Sequence, residues 1–447
     1  MRQKRNNINC FGFVVNPLII WIEYMNEILK SEKIICISKK KVLSVLVISI
    51  AILLEGTLNG RALPWYAVWI ALVNVFIVQF KYEIPNDLAK AFTNIFLLFI
   101  CPYLVAMLFT ICGGISIDSF QFTSSRAISL TVQIAMIFFL AGVMAISLKE
   151  ECINALSGAM ILSYLCSIFI AVHGMGINEI INYAKNPYLW QTINLQKHGI
   201  NYLERHDLGA AVGLVIVYQL FFQRGKKNYL QIIFLMLIAY LCFKRIELLG
   251  LAVTVILGIV LKKVKNKDFI VNLIFITIII CCEVYIYLVG SNKIYYIANA
   301  LGLSLRERIS LFHSVSGFYE LSLFYPGRGF GFTEKYLGAI AGTKYAYKLG
   351  NMWMGQMHND ILRMYIELGA IGSFLWFVYY LKYIPKKLSG LFGKSEKYLY
   401  LLMIVYAYIS YTMDNTMDYP IFQFTLNTII VYGCLESYII KNKISTY

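Results

Sequence analysis

The chain has 447 residues, 59% of them hydrophobic and 14% charged, with a mean hydropathy of +0.66. Soluble domains average about a quarter charged residues and under half apolar ones, so that class is excluded. A transmembrane barrel is excluded too, because short alternating segments are missing. The formal net charge of +16 is explained by Lys and Arg gathering in cytoplasmic loops; no basic stripe of the kind that binds nucleic acid runs outside short loops.

Residues 8–29 come first. They are apolar but interrupted by Asn16-Pro17, Glu23 and Glu27, with basic residues on both sides. This pattern predicts an interfacial or partly inserted helix, and no cleavable signal pattern accompanies it. After the run Lys39-Lys40-Lys41, windows of about 20 nearly uncharged residues recur, each long enough for a ~30 Å hydrocarbon core. They predict twelve spans, near 42–59, 63–80, 92–112, 127–148, 152–173, 207–223, 228–243, 246–261, 269–289, 361–383, 398–413 and 421–440. Basic clusters fall on every second connection, which puts them on one face and both termini in the cytoplasm. The chain divides into an N-terminal segment (1–41), a membrane part (42–290), a large outer loop (291–360) and a second membrane part (361–447). The ten cysteines are scattered, almost all of them in apolar segments, so neither a disulfide framework nor a zinc site is expected.

Two outer connections are long, at about 174–206 and 290–360, and loops of that length usually carry function. All five histidines (His173, His198, His206, His313, His358) fall on the outer face, and the long loops add Arg205, Arg306, Arg308 and Arg328. Lys244-Arg245 turns a hairpin between two short apolar spans, where a charge either faces a cavity or snorkels to the interface. In Glu204-Arg205-His206-Asp207, Asp207 can cap the helix that follows, and the planar fork of Arg205 suits a phosphate. Arg306 and Arg308, two residues apart, diverge on a helix, so only one of them is expected to face a site. Pro326-Gly327-Arg328-Gly329-Phe330-Gly331 lacks the phosphate-loop pattern; it is expected to be a tight turn that lets backbone approach a ligand or another helix.

The last feature is GQMHNDILRMYIELGAIG (355–372). His358 stands at the N-terminal mouth of a span that Asn359 or Asp360 can cap, and a helix N-terminus favours the neutral imidazole a proton acceptor needs. Arg363 and Glu367, four apart, share one helix face. No metal-ligand spacing and no serine nucleophile motif is present. Several arginines, one helix-top histidine and many outer aromatics suit an anionic headgroup beside a polyhydroxyl.

FKRIELLGLAV (243–253), ERHDLGAAVGL (204–214), LRERISLF (305–312), PGRGFGF (326–332) and MHNDILRMYIELGAIG (357–372) resemble the bacterial O-antigen and capsule repeat-unit polymerases and their O-antigen ligase relatives. The likeness covers about residues 200–380 and the layout of spans around one large outer loop; the first 150 residues match in hydropathy alone. It implies an all-α, GT-C-type membrane glycosyltransferase of about twelve spans that works without cofactor or metal at the outer face of the bacterial cytoplasmic membrane. The donor would be an undecaprenyl-pyrophosphate-linked oligosaccharide and the acceptor another lipid-linked unit, with inversion at the anomeric carbon. A flippase and a chain-length regulator of the same pathway would be partners. His358 would deprotonate the acceptor, and Arg245, Arg205 and Arg306 would hold the leaving pyrophosphate, with Lys244, Arg308, Arg328, Asn359 and Glu367 lining the substrate site. A ligase would use the same residues, whereas a lipid-linked oligosaccharide flippase would show internal repeats and charges along its spans, and none are evident.

Overall fold

A computed structural model describes residues 39–57, 86–113, 117–187, 203–224, 228–242, 244–300, 302, 312, 315–340, 348–349, 352–353 and 357–442. The predicted interfacial helix at 8–29, the predicted span at 63–80, Arg306 and Arg308 lie outside these residues.

The regular elements among the described residues are helices, apart from one ladder of two-residue antiparallel strands, β1 (Lys348–Leu349) and β2 (Met352–Trp353). The helices are α1 (Lys39–Thr57), α2 (Asn86–Cys112), α3 (Ile117–Leu148), α4 (Cys152–Met175), α5 (Ile177–Lys185), α6 (His206–Phe221), α7 (Tyr229–Cys242), α8 (Arg245–Lys263), α9 (Lys267–Gly290) and α10 (Lys293–Ala300). After them come α11 (Phe332–Ile340), α12 (Asp360–Val378), α13 (Ile384–Leu391), α14 (Lys394–Met413) and α15 (Pro420–Asn442).

Among the described residues, four helical stretches are long and apolar enough to cross a membrane: Asn86–Cys112, Ser124–Met175, Lys267–Gly290 and Asp360–Leu391. The second would measure about 78 Å if straight, over twice a ~30 Å core. It is broken at Lys149, whose φ of +49° divides α3 from α4. The apolar helices α6 and α7 are shorter, at 16 and 14 residues.

Burial separates inner from outer helices. α6, α14 and α15 are buried along most of their length. By contrast α2, α7, α8 and α9 leave Phe109, Ile233, Ile256 and Ile280 more than half exposed. A helix that is apolar on all sides, and exposed on one, suits a hydrocarbon solvent. Inside, polar groups tie helices together: Gln219 donates to Ser157 Oγ at 3.0 Å and to Gln231 Oε1 at 3.2 Å. Such bonds hold helices where lipid supplies no hydrophobic drive between them.

The same end of many helices meets in one layer. Ile52 and Glu55 near the end of α1, Thr110 of α2, Arg126 of α3, the starts of α6, α8 and α12, and the link from α14 to α15 are joined there by hydrogen bonds. The opposite end carries Lys41–Glu151, Arg224–Glu436, and Lys394 and Lys397 on Asp268.

Candidate active site

The site is built on the start of α12. Asn359 caps that helix, its Oδ1 accepting from Leu362 N at 3.0 Å, and its Nδ2 donates to the Tyr285 hydroxyl at 3.2 Å. His358, just before the cap, has a φ of +51°. A non-glycine residue there costs about 1–3 kcal/mol and persists only where its surroundings over-determine it. Buried Met357 on one side and the capped helix on the other supply that constraint.

His358 Nδ1 lies 3.1 Å from Asp414 Oδ1, and Lys244 Nζ pairs with Asp414 Oδ2. Tyr419 brings its hydroxyl to within 3.1 Å of Asp414 Oδ1 and its ring to 5.7 Å from the Lys244 ammonium. Asp414 is fully buried. Burial alone would raise its carboxyl, but Lys244 and His358 overcome this and hold it well below the usual carboxylate range. A fixed carboxylate on Nδ1 sets the tautomer: with Nδ1–H donated to Asp414, the neutral ring has its lone pair on Nε2.

Beside the ring lies a small pocket, lined by His358 together with Glu334, Asp360, Arg363, Asn415 and Asp418. Its charges are bound into the fold. Arg363 bonds Asp418 at 2.6 Å and Glu367 at 3.1 Å, with Asp360 3.7 Å away, and Arg126 pairs with Glu334. Burial and Asp418 raise the Glu334 carboxyl, against the pull of Arg126. A larger cavity of ≈520 Å³ lies among Tyr103, Trp376, Tyr380, Tyr408, Tyr411 and Gln423; no imidazole or carboxylate lines it.

The glycine-rich turn approaches a helix. At Gly369, with a φ of +76°, α12 opens, and the turn enters the gap. Arg328 N and Gly329 N donate to the carbonyls of Ile366 and Glu367, and Ala370 N donates back to Tyr325 O. A Cβ on Gly327 would stand 2.5 Å from Gly369 N, which is why the turn needs glycine. The Glu367 carboxylate accepts from Gly331 N at 2.7 Å and Thr333 N at 3.1 Å. It therefore anchors the turn to α12 while it pairs with Arg363.

The other sequence-predicted residues divide. Lys244 is buried in the cluster, while Arg245, the first residue of α8, is exposed. Arg205 is buried; its guanidinium holds Asp207 at 2.9 and 3.2 Å and the Ile52 carbonyl at 2.5 Å. Asp207 is thus the ion-pair partner of Arg205, and no side chain caps α6. Arg328 donates from Nε to Phe318 O at 2.8 Å, with its guanidinium 6.0 Å from the Phe318 ring.

Sequence reading passed over Asp414, Asp418, Arg126 and Glu334. A signal existed for the first two: Met413-Asp414 and Met417-Asp418 repeat across a short connection between apolar helices. Arg126, a cation at the outer mouth of a predicted span, meets the same argument that singled out Arg205. No family model, curated protein or solved structure matches the chain.

Proposed function

We propose that the chain is a glycosyltransferase of the bacterial cytoplasmic membrane that polymerises polysaccharide repeat units, with an inverting and metal-independent reaction at the outer leaflet. One observation carries the reading: a histidine on the rim of a polar pocket, its Nδ1 fixed by a buried carboxylate whose charge Lys244 balances. That is the arrangement of an oriented general base. His358 Nε2 takes the proton of an acceptor sugar hydroxyl. The oxygen attacks the anomeric carbon of the lipid-linked donor, and the bond from that carbon to the pyrophosphate breaks. Undecaprenyl pyrophosphate leaves as the anion.

The pyrophosphate needs cations, and the resemblance assigns it Arg245, which is exposed one residue from the Lys244–Asp414–His358 cluster, with Arg306 or Arg308 of the loop. Arg205, closed on Asp207 and a carbonyl, supports the site as a structural strut in this reading. The layout of about twelve spans with both termini inside, in the GT-C manner, is part of the proposal. The lysine-rich pairs at the end opposite the site support this orientation, since basic residues collect on the cytoplasmic face.

The test is elongation in liposomes that hold the purified protein and lipid-linked repeat units. Wild type is expected to yield a ladder of longer glycans and to release undecaprenyl pyrophosphate. His358→Ala is expected to slow both by roughly 10²–10⁴-fold. Movement of the glycan across the bilayer without a new glycosidic bond would replace the enzyme by a transporter; transfer only onto a different acceptor would make it a ligase.

A further inference from the structure

Just before the glycine-rich turn, the outer loop carries an apolar tip that the chain does not bury. Phe324 is 91% exposed, Leu323 80%, and Leu321 is exposed beside them. Burying a side chain of this size is worth about 1.5–3 kcal/mol, so two neighbours left outside call for a partner. The tip is firmly held. Ser322 N donates to Glu320 O at 2.9 Å, Tyr325 N to Ser322 O at 3.1 Å, and Phe324 N to Ser322 Oγ at 3.2 Å. On its two flanks the Tyr365 hydroxyl donates to Glu320 O at 2.6 Å, and the Tyr325 hydroxyl to Ile366 O at 2.8 Å. Both ends of the turn are thus fastened to α12 while Leu323 and Phe324 face away from it.

Two helices gauge its depth. Tyr325 O accepts from Ala370 N at 3.0 Å. Along Asp360–Leu391, a rise of 1.5 Å per residue puts Ala370 about 18 Å from Lys382 and about 24 Å from Lys386, short of a ~30 Å hydrocarbon core. On α9, Leu321 rests against Gly290, where a Cβ would stand 2.8 Å from Leu321 Cδ2; that is the far end of a helix about 35 Å long. The tip therefore lies across the outer boundary of the core. Its apolar surface also continues downward, since Ile371, Phe374 and Leu375 are exposed on the next turns of α12. We propose that Leu323 and Phe324 are a wedge set into the outer leaflet, with lipid acyl chains as their partner. The backbone suits that place, because its N–H groups at Ser322, Phe324 and Tyr325 are paired and exposed Pro326 has none to satisfy. Exposed Glu320 stays in the headgroup layer. The wedge rests on the membrane class alone and is independent of the reaction proposed above.

The experiment is photocrosslinking of the full chain in nanodiscs of phosphatidylethanolamine and phosphatidylglycerol. The photoreactive residue p-benzoylphenylalanine replaces Phe324, and lipid adducts on the tryptic peptides are measured by mass spectrometry. Two reference positions bracket the result: Ile280, exposed in the middle of α9, and Lys394, whose side chain is mostly in solvent. Adduct yield at position 324 is expected to fall within roughly threefold of that at 280, and at least roughly tenfold above that at 394. The same probe in place of Leu323 is expected to give the same result, and serves where the first variant does not fold. Yields at the tip no higher than at 394 would place it in water and overturn the inference. Crosslinks to a second copy of the chain in place of lipid would overturn it as well, and make the tip a protein interface.

Discussion

The two ends of the bundle hold similar residue types and treat them differently. At the end away from the site, Lys394 lies 2.6 Å from Asp268 with most of its side chain in solvent, and Lys41 and Glu151 meet at 3.9 Å on the surface. Exposed pairs of this kind contribute little to stability. At the site end, Asp414, Asp360, Arg363 and Glu367 are all nearly inaccessible. There the loss of one partner strands a charge, whereas exchange of both for apolar groups can be neutral. Glu396 and Lys397 are buried at the far end as well, but the site end gathers its buried charges into one connected network, at a cost that stability alone does not explain. That end is where chemistry is to be sought.

The comparison breaks most sharply at Asp414. Asp414→Asn leaves Lys244 buried without its counter-charge, and is expected to lower stability by about 3–5 kcal/mol and to abolish glycan elongation. The double change Lys244→Met with Asp414→Leu is expected to recover most of the melting temperature and none of the activity. Thermal melting in detergent beside the liposome assay separates the two effects; a double variant that elongates glycan would remove the pair from the mechanism.

Next in size is the opening of α12. Alanine at Gly369 would bring a Cβ to 2.4 Å from Tyr325 O at a φ of +76°. Left-handed strain alone costs about 1–3 kcal/mol, and the clash adds to it. Gly369→Ala is expected to release the glycine-rich turn and expose residues 315–332 to protease. An unchanged digestion pattern would mean that α12 closes over the turn without it.

A smaller effect is expected from pH. Asp414 has a depressed folded pKa, so its stabilisation is complete above the unfolded value near 3.9 and is lost as pH falls through the folded value. Glu334 has a raised one, so its protonation favours the folded state as pH falls through that value. Melting scans from pH 7 downward should therefore hold or rise slightly before dropping below about pH 4. Glu334→Gln should remove the rise and leave the drop. The smallest effect belongs to the other end: Lys394→Ala should leave both melting temperature and activity unchanged, and a measurable loss there would erase the contrast.

Part of the site was legible in the chain. His358 before an Asn-Asp helix start, the four-residue spacing of Arg363 and Glu367, and Lys244 at a hairpin tip each stand out against apolar surroundings. The spacing of Arg363 and Glu367 suggested a simple pair. In the fold they belong to a network that takes in Asp418 and the backbone of the glycine-rich turn. Local spacing could not show this, because Asp418 is 55 residues from Arg363. Arg205 and Arg245 looked alike as outer arginines, and the fold separates them: one is closed on a carboxylate, the other open to solvent.

What the sequence determined by itself is the solvent this chain is built for and the positions of the long apolar helices among the described residues. Both depend on local composition and on a ~30 Å length that any apolar window either meets or does not. What only the tertiary structure decided is which charges meet. Asp414 and His358 lie 56 residues apart, and Lys244 and Asp414 lie 170 apart. Their pairing depends on which helix ends the packing brings to one layer, and on burial deep enough that a carboxylate must find its cations there or go without.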